Sequence, residues 1–192
     1  MHDFIRFFPE RLEDLGFRSY VIFAENGCAV AIDAESPEEL RKKLRKVRED
    51  VLVGVIGRNR SVCREAVMRK KVDVLLDCDE RELDYGTIKL AAEKDVTIEL
   101  GMSKFLRARG LRRAKLFDQL REEVRIIRKF DAPFVVTTAA ESVWELRSRK
   151  QVETFFAFFG CDIGKARGYA ERLVRRYFDP NYIMDGFEVE KS

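Results

Sequence analysis

Histidine is almost absent from the chain, the single one being His2. A serine–histidine–aspartate relay, a histidine-ligated zinc and most imidazole acid–base schemes are excluded unless that residue takes part, and so near the N-terminus it is expected to be mobile. Cysteine is sparse and dispersed, at 28, 63, 78 and 161, with no CxxC pair and no histidine spaced as in a zinc site. These four are expected to be buried free thiols rather than two disulfides. Apolar runs are short: Val51–Gly57 and Phe155–Gly160 fall far below the roughly 20 residues that cross a bilayer. The start, Met1-His2-Asp3-Phe4, has neither a basic segment nor a long apolar one, so no membrane association and a cytoplasmic location are expected. No GxGxxG or GxxxxGKS loop follows an apolar run, which leaves dinucleotide and nucleoside triphosphate sites without support. Repeats, low-complexity tracts and Gly/Pro/Ser linkers are lacking too. One domain is therefore expected over 1–187, with a frayed tail at 188–192.

What the chain does contain is charge and alternation. Hydrophobic residues make up 46% and charged ones 37% of 192 residues, enough apolar mass for a single core beneath a densely solvated surface. Short β-rich runs at 20–24, 28–33, 51–56, 72–77, 96–100 and 134–138 alternate with amphipathic stretches. Weaker strand signals lie near Phe4–Phe8 and Tyr182–Phe187. Ser36-Pro37-Glu38-Glu39 combines an N-cap with a proline in the first helical position and a glutamate at the third, which predicts a helix from there to about Glu49. The run Val51–Gly57 is apolar on both faces, as a strand between covering helices and a barrel interior must be. Six to eight strand–helix units in under 200 residues suit a compact, irregular TIM-like β/α barrel. A full eightfold barrel typically needs about 250 residues, and an open doubly wound sheet is the alternative.

The net charge of +3 hides a polarity along the chain. Met1–Leu40 holds three basic and nine acidic residues, a balance of −6, whereas Lys104–Phe130 holds ten basic and three acidic residues, a balance of +7. Phe117, Leu120, Val124 and Ile127 fall on one helical face, and Arg121, Arg125 and Arg128 form a stripe beside it. Before that helix, Lys104–Lys115 gathers six cations around Gly110 in what reads as a loop leaving the C-terminal end of a strand, the functional rim of a barrel. Arg58-Asn59-Arg60 and Arg147-Ser148-Arg149-Lys150 also follow strands, so three rim loops are expected to carry cations. Guanidinium groups suit phosphate because their planar fork donates two hydrogen bonds. Phe105 and Trp144 are candidates for stacking on unpaired bases, with core packing as the other reading. In Phe155-Phe156-Ala157-Phe158-Phe159 some rings are expected in the core and others in an interface. Catalytic carboxylates are few: Asp77, Asp79 and Glu80 form the one local cluster able to hold Mg²⁺, and a polar strand-exit loop accounts for them equally well. Glu99, within a strand, is expected to pair with a rim cation.

The segments Val51-Leu52-Val53-Gly54-Val55-Ile56-Gly57-Arg58-Asn59, Val72-Asp73-Val74-Leu75 and Lys89–Glu99 occur here in a specific order. Arg112-Arg113-Ala114-Lys115-Leu116, Leu120–Arg125, Ile127–Pro133, Val135–Ala140, Ser142 and Glu145-Leu146-Arg147-Ser148 follow them. Over about residues 50–160 this pattern resembles the ribonuclease P protein component 3 family, the archaeal counterpart of the eukaryotic thirty-kilodalton subunit. The resemblance implies a distorted barrel related to the histidinol-phosphatase-like hydrolases, serving as a non-catalytic protein cofactor of an RNA that removes the 5′ leader of precursor tRNA. It implies partners as well: the catalytic RNA, protein component 2 in a two-plus-two heterotetramer, and other ribonuclease P proteins. Mg²⁺ is then expected on the RNA and no cofactor on the protein. The hydrolases carry histidine-rich metal motifs such as HxH, which this chain lacks, and its Met1–Arg6 start departs from the usual family start. The expected RNA contacts are Arg58, Arg107, Arg109, Arg112, Arg113, Lys115, Arg147, Arg149 and Lys150, with no catalytic or metal residues. The competing reading is an independent metal-dependent phosphoesterase of the same barrel class, centred on Asp77 and Asp79.

Overall fold

The computed structural model describes residues 1–11, 13–184 and 187–188, so the tail expected at 188–192 lies outside them except for the backbone of Glu188. Five strands, β3 (Ala29–Ala34), β4 (Leu52–Gly57), β5 (Val74–Leu76), β6 (Thr97–Gly101) and β7 (Phe134–Thr137), form a parallel sheet in sequence order. β1 (His2–Ile5) pairs in parallel with β2 (Ser19–Ile22). It joins the β7 edge through a parallel bridge between Ile5 and Ala140 and the Arg6 N–H, which donates to the Ala140 carbonyl at 2.7 Å. Strands added always on the same side put every crossover helix on one face of the sheet. The result is the irregular TIM-like barrel expected from the sequence, rather than the open doubly wound alternative. A final hairpin, β8 (Tyr182–Met184) with β9 (Phe187–Glu188), is antiparallel.

The period-two alternation of the strands sorts the core into two layers. Val53, Val55, Leu75, Ile98, Leu100, Phe134 and Val136 lie under α1 (Pro37–Leu44), α2 (Arg60–Val67), α3 (Tyr85–Lys94), α5 (Gly110–Phe130) and α6 (Arg149–Phe158). Phe4, Val21, Phe23, Leu52, Val74, Leu76 and Val135 fill the interior with Ala170 and Leu173 of α7 (Ile163–Phe178). Gly54 is glycine because a Cβ there would stand 2.6 Å from Leu76 and 2.8 Å from Phe23. α7 crosses the end of the barrel where strands begin. Tyr177 donates to Asp73 at 2.6 Å, Arg172 to Asp95 at 2.5 Å, and His2 meets Glu171 at 2.8 Å, all three at or just before the starts of β5, β6 and β1.

Two local expectations change. The helix that begins at Pro37, with Ser36 accepting from the Glu39 N–H, stops at Leu44 instead of about Glu49. Leu40 and Leu44 are its buried residues, and beyond Val47 no apolar position remains to hold another turn. The pairing of Ala29 with Leu52 fixes where β4 must start, so the chain closes through tighter turns at Lys46 and Val47. The stretch 104–115 is not a loop either. α4 (Ser103–Arg107) and the start of α5 meet at an elbow, where Ala108 is extended and Gly110 takes φ +53°. Buried Phe105 and Ala108 pin that elbow to the core.

Candidate nucleic-acid interface

The strand ends opposite α7 carry a buried ionic network, and the exposed cations are built on top of it. Glu99 of β6 faces the interior and is fully buried. Its carboxylate accepts from the Thr137 hydroxyl and the Asp77 N–H, both at 2.7 Å, and pairs with Arg6, just past β1. Asp77, just past β5, accepts from the Gly101 N–H at 2.7 Å, the Cys78 N–H at 2.9 Å and the Lys104 ammonium at 3.0 Å. Arg81 lies 3.3 Å from Asp77 and 3.0 Å from Glu123 of α5, and donates to the Glu99 carbonyl at 2.5 Å. Three cations thus answer three carboxylates, the condition for charge to survive burial, since a lone buried ion costs several kcal/mol. Burial alone would raise the Asp77 carboxyl. The charges of Arg81 and Lys104, with the Gly101 amide, reverse that and hold it below the ordinary carboxylate range. Beside this network Asp3, buried in β1, accepts from the Thr138 amide and hydroxyl, both at 2.7 Å. Burial, with a smaller push from the Glu99 charge, still raises it to about 7.

Above the network lies an open cleft of about 640 Å³ lined by Arg6, Arg58, Asp79, Glu80, Arg107, Arg112 and Glu141, among others. Arg58 reaches Asp33 at 2.8 Å. Arg107 is the hub: it meets Glu145 at 2.9 Å, Asp79 at 2.6 Å and Glu141 at 3.3 Å. Burial works against its charge, but these carboxylates lift its pKa above the usual value. Arg112 touches Asp79 at 3.3 Å and stays 59% exposed, so one face of its guanidinium is open. Arg109 is the N-cap of α5 and exposed, and no side chain caps that helix. Arg113 donates to the Ala108 carbonyl at 2.7 Å, bracing the elbow, and Lys115 is exposed one turn on. The first-turn amides of α5, its positive dipole end and exposed Arg109 and Arg112 therefore share one corner, with Arg113 bracing it and Lys115 further round the helix, an arrangement that attracts phosphate.

The remaining cations lie elsewhere, and the expectation of three cationic rim loops becomes two. The segment after β7 reaches the rim only as far as Glu145. Arg147 folds onto the carbonyls of Trp144 and Leu146, at 2.9 and 2.6 Å. The Arg149 N–H donates to the Leu15 carbonyl, and its charge, after burial, is the next largest influence lowering the Met1 amine. Lys150 follows it into α6. The long β7–α6 connection carries these residues away from the strand ends, which sequence spacing does not reveal.

Other expectations sort by burial. His2 is not mobile: it is 3% exposed in β1, bonded to Ser19 and Glu171, and burial lowers its pKa although Glu171 opposes this. Cys63 and Cys161 are buried and Cys78 half-buried, but Cys28 is exposed. Phe105 is core, stacked on Phe117 at 5.4 Å, while Trp144 is 88% exposed. Phe156 is buried and Phe158 80% exposed. Glu99 does pair with a cation, but with Arg6, a residue the sequence reading passed over. Lys104, counted there with the rim cations, is buried on Asp77.

The competing reading, a metal site centred on Asp77 and Asp79, does not fit these residues. The Lys104 ammonium stands 3.0 and 2.9 Å from the two Asp77 oxygens, where a divalent ion would have to sit. Asp79 is held by Arg107 and Arg112. Among the described residues no group of three or more His, Cys, Asp or Glu side chains is placed to share an ion, and no helix is long and apolar enough to cross a membrane.

Comparison with known proteins agrees with this geometry. The model of the family described as RNase P subunit p30 matches residues 13–179. Ribonuclease P protein component 3 of Archaeoglobus fulgidus is 67% identical over 193 residues, covering 100% of this chain and 96% of that one. The protein of the same name from Methanosarcina barkeri is 30% identical over 164 residues, covering 81% and 69%. A chain in a cryo-EM structure of archaeal ribonuclease P with mature tRNA shares the fold, with a TM-score of 0.80 at 22% identity over 100% of this chain and 99% of that one. With the family model matching residues 13–179 and a relative 67% identical over the whole of it, the chain, a barrel whose strand-end mouth is filled by ion pairs, belongs to the RNase P subunit p30 family.

Proposed function

We propose that this chain is a protein subunit of ribonuclease P that binds the catalytic RNA through the corner where α4 meets α5, supporting removal of the 5′ leader of precursor tRNA without cutting RNA itself. The observation that carries this is the density of cations, Arg109, Arg112, Arg113 and Lys115, in the uncapped first turns of α5. Each phosphate met there releases counterions, so binding is strongly salt dependent. Arg58 borders the same mouth, and Arg107 positions it by tying three carboxylates together. Arg147, Arg149 and Lys150 meet RNA on a separate flank, beside exposed Trp144, which offers a ring for stacking on an unpaired base. The chemistry belongs to the RNA and its Mg²⁺. Component 2 is the protein partner, two copies of each forming the assembly alongside other ribonuclease P proteins, in the cytoplasm. Exposed Phe158 is an apolar anchor suited to that contact.

The decisive experiment is precursor-tRNA cleavage by the archaeal catalytic RNA at low Mg²⁺ with component 2 present, this chain being added or omitted. Stimulation that needs RNA, component 2 and this chain together is the expected result. Cleavage by the protein without RNA would overturn the non-catalytic assignment. Within the assay, Arg112→Ala with Arg113→Ala should lower activity and flatten its salt dependence while the protein stays folded.

A further inference from the structure

The densest runs of cations in the sequence lie outside the corner described above. Residues 41–48 contain Arg41, Lys42, Lys43, Arg45, Lys46 and Arg48 and no acid, and residues 64–71 contain Arg64, Arg69, Lys70 and Lys71 against Glu65 alone. Ten cations against one acid make +9 in sixteen residues, a higher density than in Lys104–Phe130. The fold brings the two segments together. They are the C-terminal ends of α1 and α2 with the turns that follow, joined where Arg41 meets Glu65 at 3.1 Å and Lys71 donates to the Val47 carbonyl at 3.1 Å. Between them lies an open hollow of about 330 Å³ lined by Arg41, Leu44, Arg45, Arg69, Lys70 and Lys71, with no acidic residue in its wall.

Position and chemistry both matter. Each of these helix ends leads into the start of a strand, β4 or β5, so the hollow is at the opposite end of the barrel from the α4–α5 corner. Helix C-termini carry a partial negative charge that explains a cation or two in a last turn, but not the surplus of five that remains when flanking Glu38, Glu39, Glu49 and Asp50 are counted with Glu65 against the ten cations. Arg41, Lys43, Arg48, Arg69 and Lys71 have acidic neighbours at Glu38, Glu39, Glu49, Asp50 and Glu65. Lys42, Arg45, Lys46 and Lys70 are exposed, with no side-chain partner among the described residues. Apolar anchors are nearly missing: Leu40 and Leu44 turn into the core, and Met68 alone is large, apolar and exposed in these segments. A protein interface is built around buried aromatic or aliphatic anchors, and a membrane-surface helix needs an apolar face to insert. A cationic hollow without either fits a phosphodiester backbone.

We propose that the α1–α2 end is a second RNA-binding surface, so that the barrel holds two separate stretches of backbone, one at each end, and fixes their relative position. That the RNA is the ribonuclease P RNA rests on the function proposed above; the assignment of the surface does not. The test titrates the full-length chain onto ribonuclease P RNA from about 50 to 200 mM salt and maps protected nucleotides by hydroxyl-radical footprinting. Three proteins are compared: unmodified, Arg45→Ala with Lys46→Ala and Lys70→Ala, and Arg109→Ala with Arg112→Ala. At about 0.7–0.9 in salt slope per phosphate lost, the triple variant should show a slope shallower by about 2 and affinity lower by roughly 10- to 100-fold. It should lose a set of protections distinct from the set lost by the α5 variant. An unchanged slope and footprint in a folded triple variant overturns the proposal, as does loss of the same nucleotides as the α5 variant. Intact RNA binding with loss of component 2 binding also overturns it, making this end a protein contact. If the triple variant does not fold, Lys70→Ala alone should reduce the slope by just under about 1, and no change refutes the assignment. A normal α5 variant beside a defective triple variant would remove the corner from the proposed function and leave this surface standing.

Discussion

The replacement of Arg81 by methionine tests whether the buried network holds the mouth of the barrel together. Arg81 is wholly buried and does three things at once: it faces Asp77, pairs with Glu123 and donates to the Glu99 carbonyl. Methionine keeps most of the apolar stem and deletes the charge. Asp77 would retain Lys104 and the amides of Gly101 and Cys78, so its loss is modest. Among the described residues Glu123, 2% exposed, would retain only the Gln119 amide at 3.0 Å, and the Glu99 carbonyl would lose its charged donor. Breaking a buried pair from one side typically costs about 3–5 kcal/mol, and the stranded Glu123 should put this case in that range. For a chain of this size that is a fall of roughly 6–20 °C in Tm. Urea or thermal unfolding followed by circular dichroism measures it. Adding Glu123→Gln removes the stranded charge and should recover about half of the loss, so the double variant costs less than the sum of the singles. A cost below about 1 kcal/mol, or strict additivity, would refute the idea that these charges act as a unit.

Asp3 gives a pH prediction. Its pKa in the folded protein is raised to about 7, above the unfolded value, so it binds its proton more tightly when folded. Its contribution is therefore full at acid pH and lost as pH rises through about 7. Asp3→Asn keeps one acceptor, for the Thr138 amide, replaces the other with an NH2 that donates to the Thr138 hydroxyl, and should flatten that fall; equal pH profiles for both proteins would contradict the assignment. Gly110→Ala meets no neighbouring atom but forces a left-handed φ of +53° on a residue with a Cβ. It should cost about 1–2 kcal/mol, read as a lower unfolding midpoint, and a neutral outcome would mean the elbow does not need that conformation. Among the thiols, exposed Cys28 should alkylate first, whereas burial pushes Cys63 and Cys161 up to about 12 and should leave them unlabelled until unfolding. Peptide mass spectrometry gives the order, and early labelling of Cys63 would contradict it.

The fold was readable where local pattern and tertiary demand agree. The apolar run Val51–Gly57 and the Ser36-Pro37-Glu38-Glu39 cap appear in the structure as β4 and the start of α1, because burial on both faces and first-turn hydrogen bonds are short-range requirements. The end of α1 was not readable, since it is set by the register of β4 against β3. The elbow was half readable: Gly110 marked a break, but the helix before it depends on burying Phe105. At the site, the exposed cations of α5 could be recognised from their density, and the displacement of Arg149 and Lys150 could not, because strand-to-loop distance in sequence says nothing of where a long connection leads. Arg6 had no signal at all. An arginine just after a short N-terminal apolar run is ordinary until the barrel sets it beside Glu99, far along the chain. The basic run at 41–48 was visible in the sequence, but its joining with residues 64–71 was not, because it depends on α1 and α2 lying side by side.

These buried and exposed charges are one arrangement rather than two. Arg6 ties the strand at the N-terminus to β6, Asp77 and Lys104 tie the β5 exit to α4, and Arg81 carries the connection through Glu123 into the middle of α5. Phosphate binding by arginine is stronger when the guanidinium is already placed, because less side-chain freedom is lost on contact. Here the elements that carry Arg107, Arg109, Arg112 and Arg113 are each anchored from beneath by a buried ion pair, by the Ala108 carbonyl or by Asp79. The C-terminal strand ends of a β/α barrel are where side chains usually converge to hold substrates and metal ions. In this chain the mouth holds Arg6, Arg81 and Lys104, neutralised in place by Glu99, Asp77 and Glu123, and that interior charge becomes the foundation for a fixed external one.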